Sequence, residues 1–216
     1  MIEIAKSLSD YMSNHTNYNE PLLYNKSNKE YQSLPSDTKV ISSIIESMIQ
    51  PFVLDFAKTN NLCIECPKTQ NTYPDNVLSD GDEKCAVDYK STYRCGKGKI
   101  NGMTLGSYTG YFRNRKSLKN TMYPYEQYKE NIIVCVIYDR SEKYSELSCV
   151  SLNPDLIELI IKNITIYVRP KWKIAAKSAG SGNTKNIGSI KSEKDIVNGN
   201  SIFSSEIEFD NYWMNY

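Results

Sequence analysis

The sequence predicts an α/β domain, and three stretches carry that prediction: an amphipathic helix after Pro35, a charged hairpin between Tyr73 and Tyr93, and an apolar run from Ile132 to Tyr138. With 216 residues the chain is long enough for one domain with a sizeable core, or a core with a small appended part.

The helix is capped by Ser36 or Asp37, and Val40, Ile41, Ile44, Ile45, Met48, Ile49, Phe52 and Val53 recur at 3.6-residue spacing. Pro51 is expected to kink it or divide it in two. Glu46 lies at the flank of the stripe, either as an ordinary surface acid or as a carboxylate leaning towards a metal.

Both arms of the hairpin, Tyr73–Leu78 and Cys85–Tyr93, are β-prone, and Ser79-Asp80-Gly81-Asp82-Glu83 between them is turn-prone. Side chains alternate along a strand, so Asp88 and Lys90 share a face and Tyr89 takes the other. Pairing of the arms brings Asp75 towards Asp88. Two carboxylates and an ammonium at one spot suit a divalent cation, and Mg²⁺ in particular, which binds hard oxygens and keeps sites for water and phosphate. The chemistry they suit is phosphodiester hydrolysis, with Lys90 orienting water or offsetting negative charge. The triplet alone is weak evidence, since Asp37-Thr38-Lys39 and Asp82-Glu83-Lys84 repeat it. Only Asp88-Tyr89-Lys90 follows an apolar strand start and an upstream Pro-Asp, and solvated surface charges are the alternative.

The Ile132–Tyr138 run is almost wholly apolar, as in a strand buried on both faces. Leu62–Cys66 reads as a strand ending at Pro67, Asn163–Val168 as another, and Asn153-Pro154-Asp155 as the start of a short helix through Ile161. Ile2, Ile4, Ala5, Leu8, Tyr11 and Met12 give a weak helical pattern at the N-terminus. Pro21-Leu22-Leu23-Tyr24 reads as a strand or an interface patch. Residues 96–110 are glycine-rich and read as flexible, and so does Ala179–Ile190, which lacks the ending of a phosphate-binding P-loop. Glu193–Tyr216 reads as helical, with Ile207, Phe209, Tyr212 and Trp213 packing.

No secretory leader or run long enough to span a bilayer is evident, so a soluble cytoplasmic protein is expected, with its six cysteines as thiols. Cys63-Ile64-Glu65-Cys66 is half a zinc site without a partner, and the single histidine, His15, excludes histidine-pair chemistry. The net charge of +1 is uninformative, but its distribution is not. Tyr89–Tyr125 and Leu159–Ser192 contain no acid and carry seven or more Lys and Arg each. They fit a groove along a phosphate backbone, or solvated loops.

Taken together, Ser36-Asp37-Thr38-Lys39-Val40, Gln70-Asn71, Tyr73-Pro74-Asp75, Asp88-x-Lys90 with Thr92-Tyr93, Thr104-Leu105-Gly106, Tyr123-Pro124, Gln127-Tyr128 and Ala179–Ile190 resemble, in order and spacing, the type II restriction endonucleases of the Pro-Asp…Asp/Glu-x-Lys nuclease superfamily. The glycine-laced loop is the most specific of these motifs. The resemblance covers about Ser36 to Tyr216. It implies a restriction-endonuclease-like core, a mixed β-sheet flanked by helices, at about residues 36–216, and a small dimerisation subdomain at about 1–35. It implies a homodimer that cuts both strands of a palindrome in double-stranded DNA, GATATC with blunt ends and 5′-phosphates, and a host methyltransferase that protects that site. By the same resemblance Asp75, Asp88 and Glu46 hold Mg²⁺, and Lys90 serves the attacking water. Gly180, Ser181, Gly182, Asn183, Thr184 and Asn186 read bases from the major groove. Gln70, Asn71, Thr38, Lys39, Ser91 and Thr92 lie along the DNA. Thr72, Ser91 and Gly110 depart from the family pattern, which has histidine, threonine and serine there. A repair or structure-selective nuclease and a DNA-binding protein without cleavage are the rival readings.

Overall fold

The computed structural model describes residues 3–15, 20–69, 71–141, 150–180 and 183–216, with the backbone only for Asn183 and Thr184. In chain order the elements are α1 (Ile4–Asn14), β1 (Leu23–Asn25), β2 (Glu30–Gln32), α2 (Thr38–Thr59), β3 (Cys63–Glu65), β4 (Asn76–Asp80), β5 (Glu83–Gly96), β6 (Lys99–Ile100) and β7 (Thr104–Ser107). They continue as β8 (Tyr128–Arg140), β9 (Val150–Ser151), β10 (Ile161–Pro170), α3 (Lys171–Ile174), β11 (Ala175–Gly180), β12 (Asn183–Ser189), α4 (Glu193–Asn198) and α5 (Glu206–Asn215).

The main sheet runs β10-β8-β5-β4-β3, with β6 folded back on β5. It is mixed: β5 and β8 are parallel, and the other pairs are antiparallel. As its composition requires, β8 is buried on both faces. Ile132, Val134 and Val136 pack under α1 and α2, while Ile133, Cys135 and Ile137 face Phe112, Ile174, Phe209 and Trp213. The two faces therefore support two cores, and the charged hairpin of β4 and β5 lies between them.

Asp37 caps α2 by accepting from the backbone N–H of Lys39 and Val40, at 2.8 and 3.1 Å. Ile41, Ile45, Ile49, Val53 and Phe56 form its buried row, while Val40 is exposed. Pro51 does not divide the helix. Pro51 and Ser47, whose carbonyl loses its usual donor, both lie on the exposed side, where water can take that carbonyl. By length and mean hydropathy of 1.4, α2 also meets the demands of a membrane span, contrary to the sequence reading. Its buried row is spent on the sheet, however, and its other side carries Lys39, Glu46 and Lys58.

Other expectations need correction. Residues 96–110 are ordered as β6, β7 and the start of a π-helical turn at Tyr108–Phe112, because Ile100, Met103, Leu105 and Tyr108 are buried there. After Asn153 there is only a 3₁₀ turn, Pro154–Leu156, and Ile161 opens β10 rather than closing a helix. Ile207 is exposed, whereas Phe209 and Trp213 are buried. The glycine-laced stretch is a hairpin of β11 and β12, with β12 pairing to β7 in a separate sheet. At the N-terminus, α1 sends Ile4, Ala5, Leu8 and Met12 into the same core as α2, and β1-β2-β9 forms a third, small sheet.

Candidate active site

The geometry of the site follows from one register. β4 and β5 pair with Asn76 opposite Val87, so Asp75, just before β4, meets the strand at Asp88 and Tyr89. The Tyr89 N–H donates to Asp75 Oδ2 at 2.6 Å. Asp88 is buried, and Lys90, two residues on and on the same face, reaches Asp88 Oδ2 at 2.5 Å and donates to the Tyr89 carbonyl at 2.8 Å. On the opposite face Tyr89 Oη donates to Asn76 Oδ1 at 2.5 Å, and Asn76 Nδ2 to Cys66 Sγ at 3.1 Å, which pins the start of β4. Nothing in the local sequence signals that brace, since tyrosine and asparagine look alike in and out of a core.

Burial, followed by repulsion from Asp88, pushes the Asp75 carboxyl up to about 7, although Lys90 and the Tyr89 N–H oppose the shift. For Lys90, burial works against the ammonium, but Asp88, Asp75 and Glu46 outweigh it and hold the pKa above its ordinary value. Two carboxyl groups face one lysine here, which leaves acidic oxygen to spare for a cation. Among the described residues no three His, Cys, Asp or Glu side chains cluster closely enough to cage a metal by themselves. The carboxylates of Asp75 and Asp88 are hard oxygen donors of the kind a divalent cation takes.

A cleft of about 510 Å³ opens at this point, lined by Thr38, Ser42 and Glu46 of α2 and by Lys90 and Ser91 of β5. Glu46 is thus exposed at the mouth of the site and near enough to bear on the charges of Asp75 and Lys90.

The comparison with known proteins decides what kind of site this is: the family described as Restriction endonuclease EcoRV matches residues 24–216. The chain belongs to the EcoRV restriction endonuclease family. The type II restriction enzyme EcoRV of Escherichia coli is 41% identical over 189 residues, which is 85% of this chain and 76% of that protein. The chain is accordingly a type II site-specific deoxyribonuclease that binds double-stranded DNA.

The other expected site residues of this EcoRV-family enzyme are distributed unevenly. Thr38 and Lys39 are exposed at the start of α2, Thr38 in the active-site cleft and Lys39 in another beside Pro21 and Leu22. Ser91 shares a hydrogen bond of 2.8 Å with Ser42, which ties β5 to α2. Thr92, expected along the DNA, lines the active-site cleft with little exposure, and its hydroxyl donates to the Asn101 carbonyl at 3.0 Å. Strand alternation places Thr92 on the face of Asp88 and Lys90. Asn71 has φ of 67° and lines a different cleft, with Ser107, Thr109 and Gly110. Gly180 is buried and pairs with Asn183, and Asn186 pairs with Ser107 of β7. Gln70, Ser181 and Gly182, together with the side chains of Asn183 and Thr184, lie outside the described residues.

The raised Asp75 carboxyl sets a pH dependence. It keeps its proton in the folded chain to about pH 7, whereas an ordinary aspartate loses it near 3.8. Between these values the native state holds the extra proton, so Asp75 withdraws stability as pH rises. Asp75→Asn, which stays neutral, is expected to melt progressively above wild type as pH goes from about 4 to about 7 without metal, and then to keep a constant lead. The gap grows by up to about 1.4 kcal/mol per unit. Parallel melting curves in calorimetry would count against the buried, repelled carboxyl.

Proposed function

We propose that the chain is a homodimeric, Mg²⁺-dependent endonuclease that cuts both strands of a palindrome, GATATC at its centre, leaving blunt 5′-phosphate ends. The observation that carries the reading is the convergence of Asp75, Asp88 and Lys90, with Lys90 lining a cleft that Glu46 also borders. In this reading Asp75 and Asp88 hold Mg²⁺ and Glu46 assists from the rim. The ion supplies charge stabilisation at the phosphate and a more acidic bound water. Lys90, kept charged by its acidic neighbours, orients the attacking water and offsets charge that builds on the phosphate.

For DNA recognition, the tip between β11 and β12, residues 181–184, reads base edges in the major groove, which distinguishes all four pairs. Asn186 supports that tip through β7. Gln70 and Asn71 approach from the minor-groove side, and Thr38, Lys39 and Ser91 follow the backbone. A central TA step adds readout through its ease of kinking. Two-fold symmetry places one active site on each strand. The dimer contact is assigned to the first 35 residues, where β1 exposes Leu23 and Tyr24 beside β2 and β9. The enzyme works in the cytoplasm, with a cognate methyltransferase protecting host sites.

Plasmid of known sequence, incubated with the protein and Mg²⁺ and then end-sequenced, is expected to yield discrete fragments with blunt ends at GATATC. Discrete ends at another palindrome would replace the site but keep the enzyme class. Smearing would favour a structure-selective nuclease, and uncut plasmid a protein that binds without cleaving.

A further inference from the structure

Asp88 and Lys171 are the two buried charged side chains among the described residues, and the reaction outlined above uses only the first. Lys171 is 1% exposed and makes no ion pair among those residues. Its Nζ donates to Tyr73 Oη at 2.7 Å, and Tyr73 Oη donates to Asn131 Oδ1 of β8, also at 2.7 Å. The ammonium sits 4.1 Å from the centre of the Tyr73 ring and 5.2 Å from that of Tyr125. Burial lowers Lys171 to about 7, with the charge of Asp88 working the other way. A position that required only volume would be filled at less cost by an apolar side chain.

The position of this contact is what matters. Lys171 opens α3, the four-residue helix that runs directly into β11 of the hairpin. Tyr73 stands two residues before Asp75 in the chain. It also stacks on Tyr111 at 4.5 Å, and Tyr111 follows β7, the strand that supports β12. Both strands of the hairpin thus lead, through α3 and through β7, to Tyr73, two residues before Asp75.

We infer that Lys171 is a positioning residue that couples base reading to cleavage: displacement of the β11–β12 hairpin on the correct site is passed through α3 and Tyr73 to Asp75. The inference rests on the reading that this hairpin contacts the bases. It requires that Lys171 act on turnover and selectivity rather than on DNA affinity, because its Nζ is sealed from the DNA cleft.

Lys171→Met and Tyr73→Phe remove the ammonium and the hydroxyl with little change in volume. Each is expected to lower kcat at the preferred site tenfold or more with KM within twofold. The ratio of preferred-site cleavage to cleavage at single-mismatch sites should fall as well. The double variant should be no worse than the more damaging single one, since both break the same chain of hydrogen bonds. Thermal melts on the same samples separate loss of fold from loss of coupling. Equal proportional losses at preferred and mismatched sites, or additive losses in the double variant, would overturn the inference while leaving the recognition hairpin intact. Wild-type protein that cuts DNA without site preference would sink both readings.

Discussion

Asp88→Ala is expected to slow Mg²⁺-dependent cleavage by at least about 10³-fold, equivalent to roughly 4 kcal/mol of barrier. The substitution deletes a carboxylate whose neighbours are already arranged around its charge. Lys90 loses its 2.5 Å partner, and Asp75 is left as a lone acid facing any cation. The fold should survive, because Asp88 also repels Asp75, and relieving that repulsion lets Asp75 ionise more easily in metal-free protein. DNA affinity without metal should hold or rise, since a negative charge has been removed from beneath the phosphate. Single-turnover cleavage, titration with Mn²⁺ followed by electron paramagnetic resonance, and a thermal melt read these effects separately. Near-normal turnover from a folded Asp88→Ala protein would rule out the metal-carboxylate site.

Gly106→Ala is expected to destabilise the chain by about 3 kcal/mol or more, a fall in Tm of roughly 6–12 °C for a chain of this size. Gly106 adopts φ of 98° in β7, where a side chain is strained by itself. A methyl group there would also overlap the hydroxyl of Tyr111, whose ring stacks on Tyr73 at an interplanar angle of 14°. The overlap therefore threatens β7 and the Tyr73–Asp75 turn together, and cleavage should fall beyond what the lost stability explains. Gly98 provides the control: it has φ of 70° with no atom within 4 Å of an added methyl, so Gly98→Ala tests backbone strain without the clash. Equal melting losses for the two variants would show that packing against Tyr111 contributes nothing.

Elements with a strong local signal were legible in the sequence. The α2 stripe, the Asp37 cap, the Pro-Asp hairpin and the doubly buried β8 all depend on the spacing of apolar side chains, which the chain carries directly. The approach of Asp75 to Asp88 followed from strand alternation and turn position alone. Less legible were the glycine-rich stretches. Residues 96–110 and 179–190 read as flexible, yet β7 in the first and β12 in the second are held by their long-range pairing and by burial of Leu105 and Ile187. Local propensity has no access to such partners.

By itself the sequence determined which acids and which lysine share one strand face, because a period of two is a local property of the backbone. Only the tertiary structure decided that Lys171 lies under Tyr73, 98 residues away in the chain, and that Asp75, half-buried beside Asp88, has its pKa raised to about 7. Contacts of that kind arise when separate elements close over one another and exclude water, and no window of neighbouring residues encodes which elements will meet.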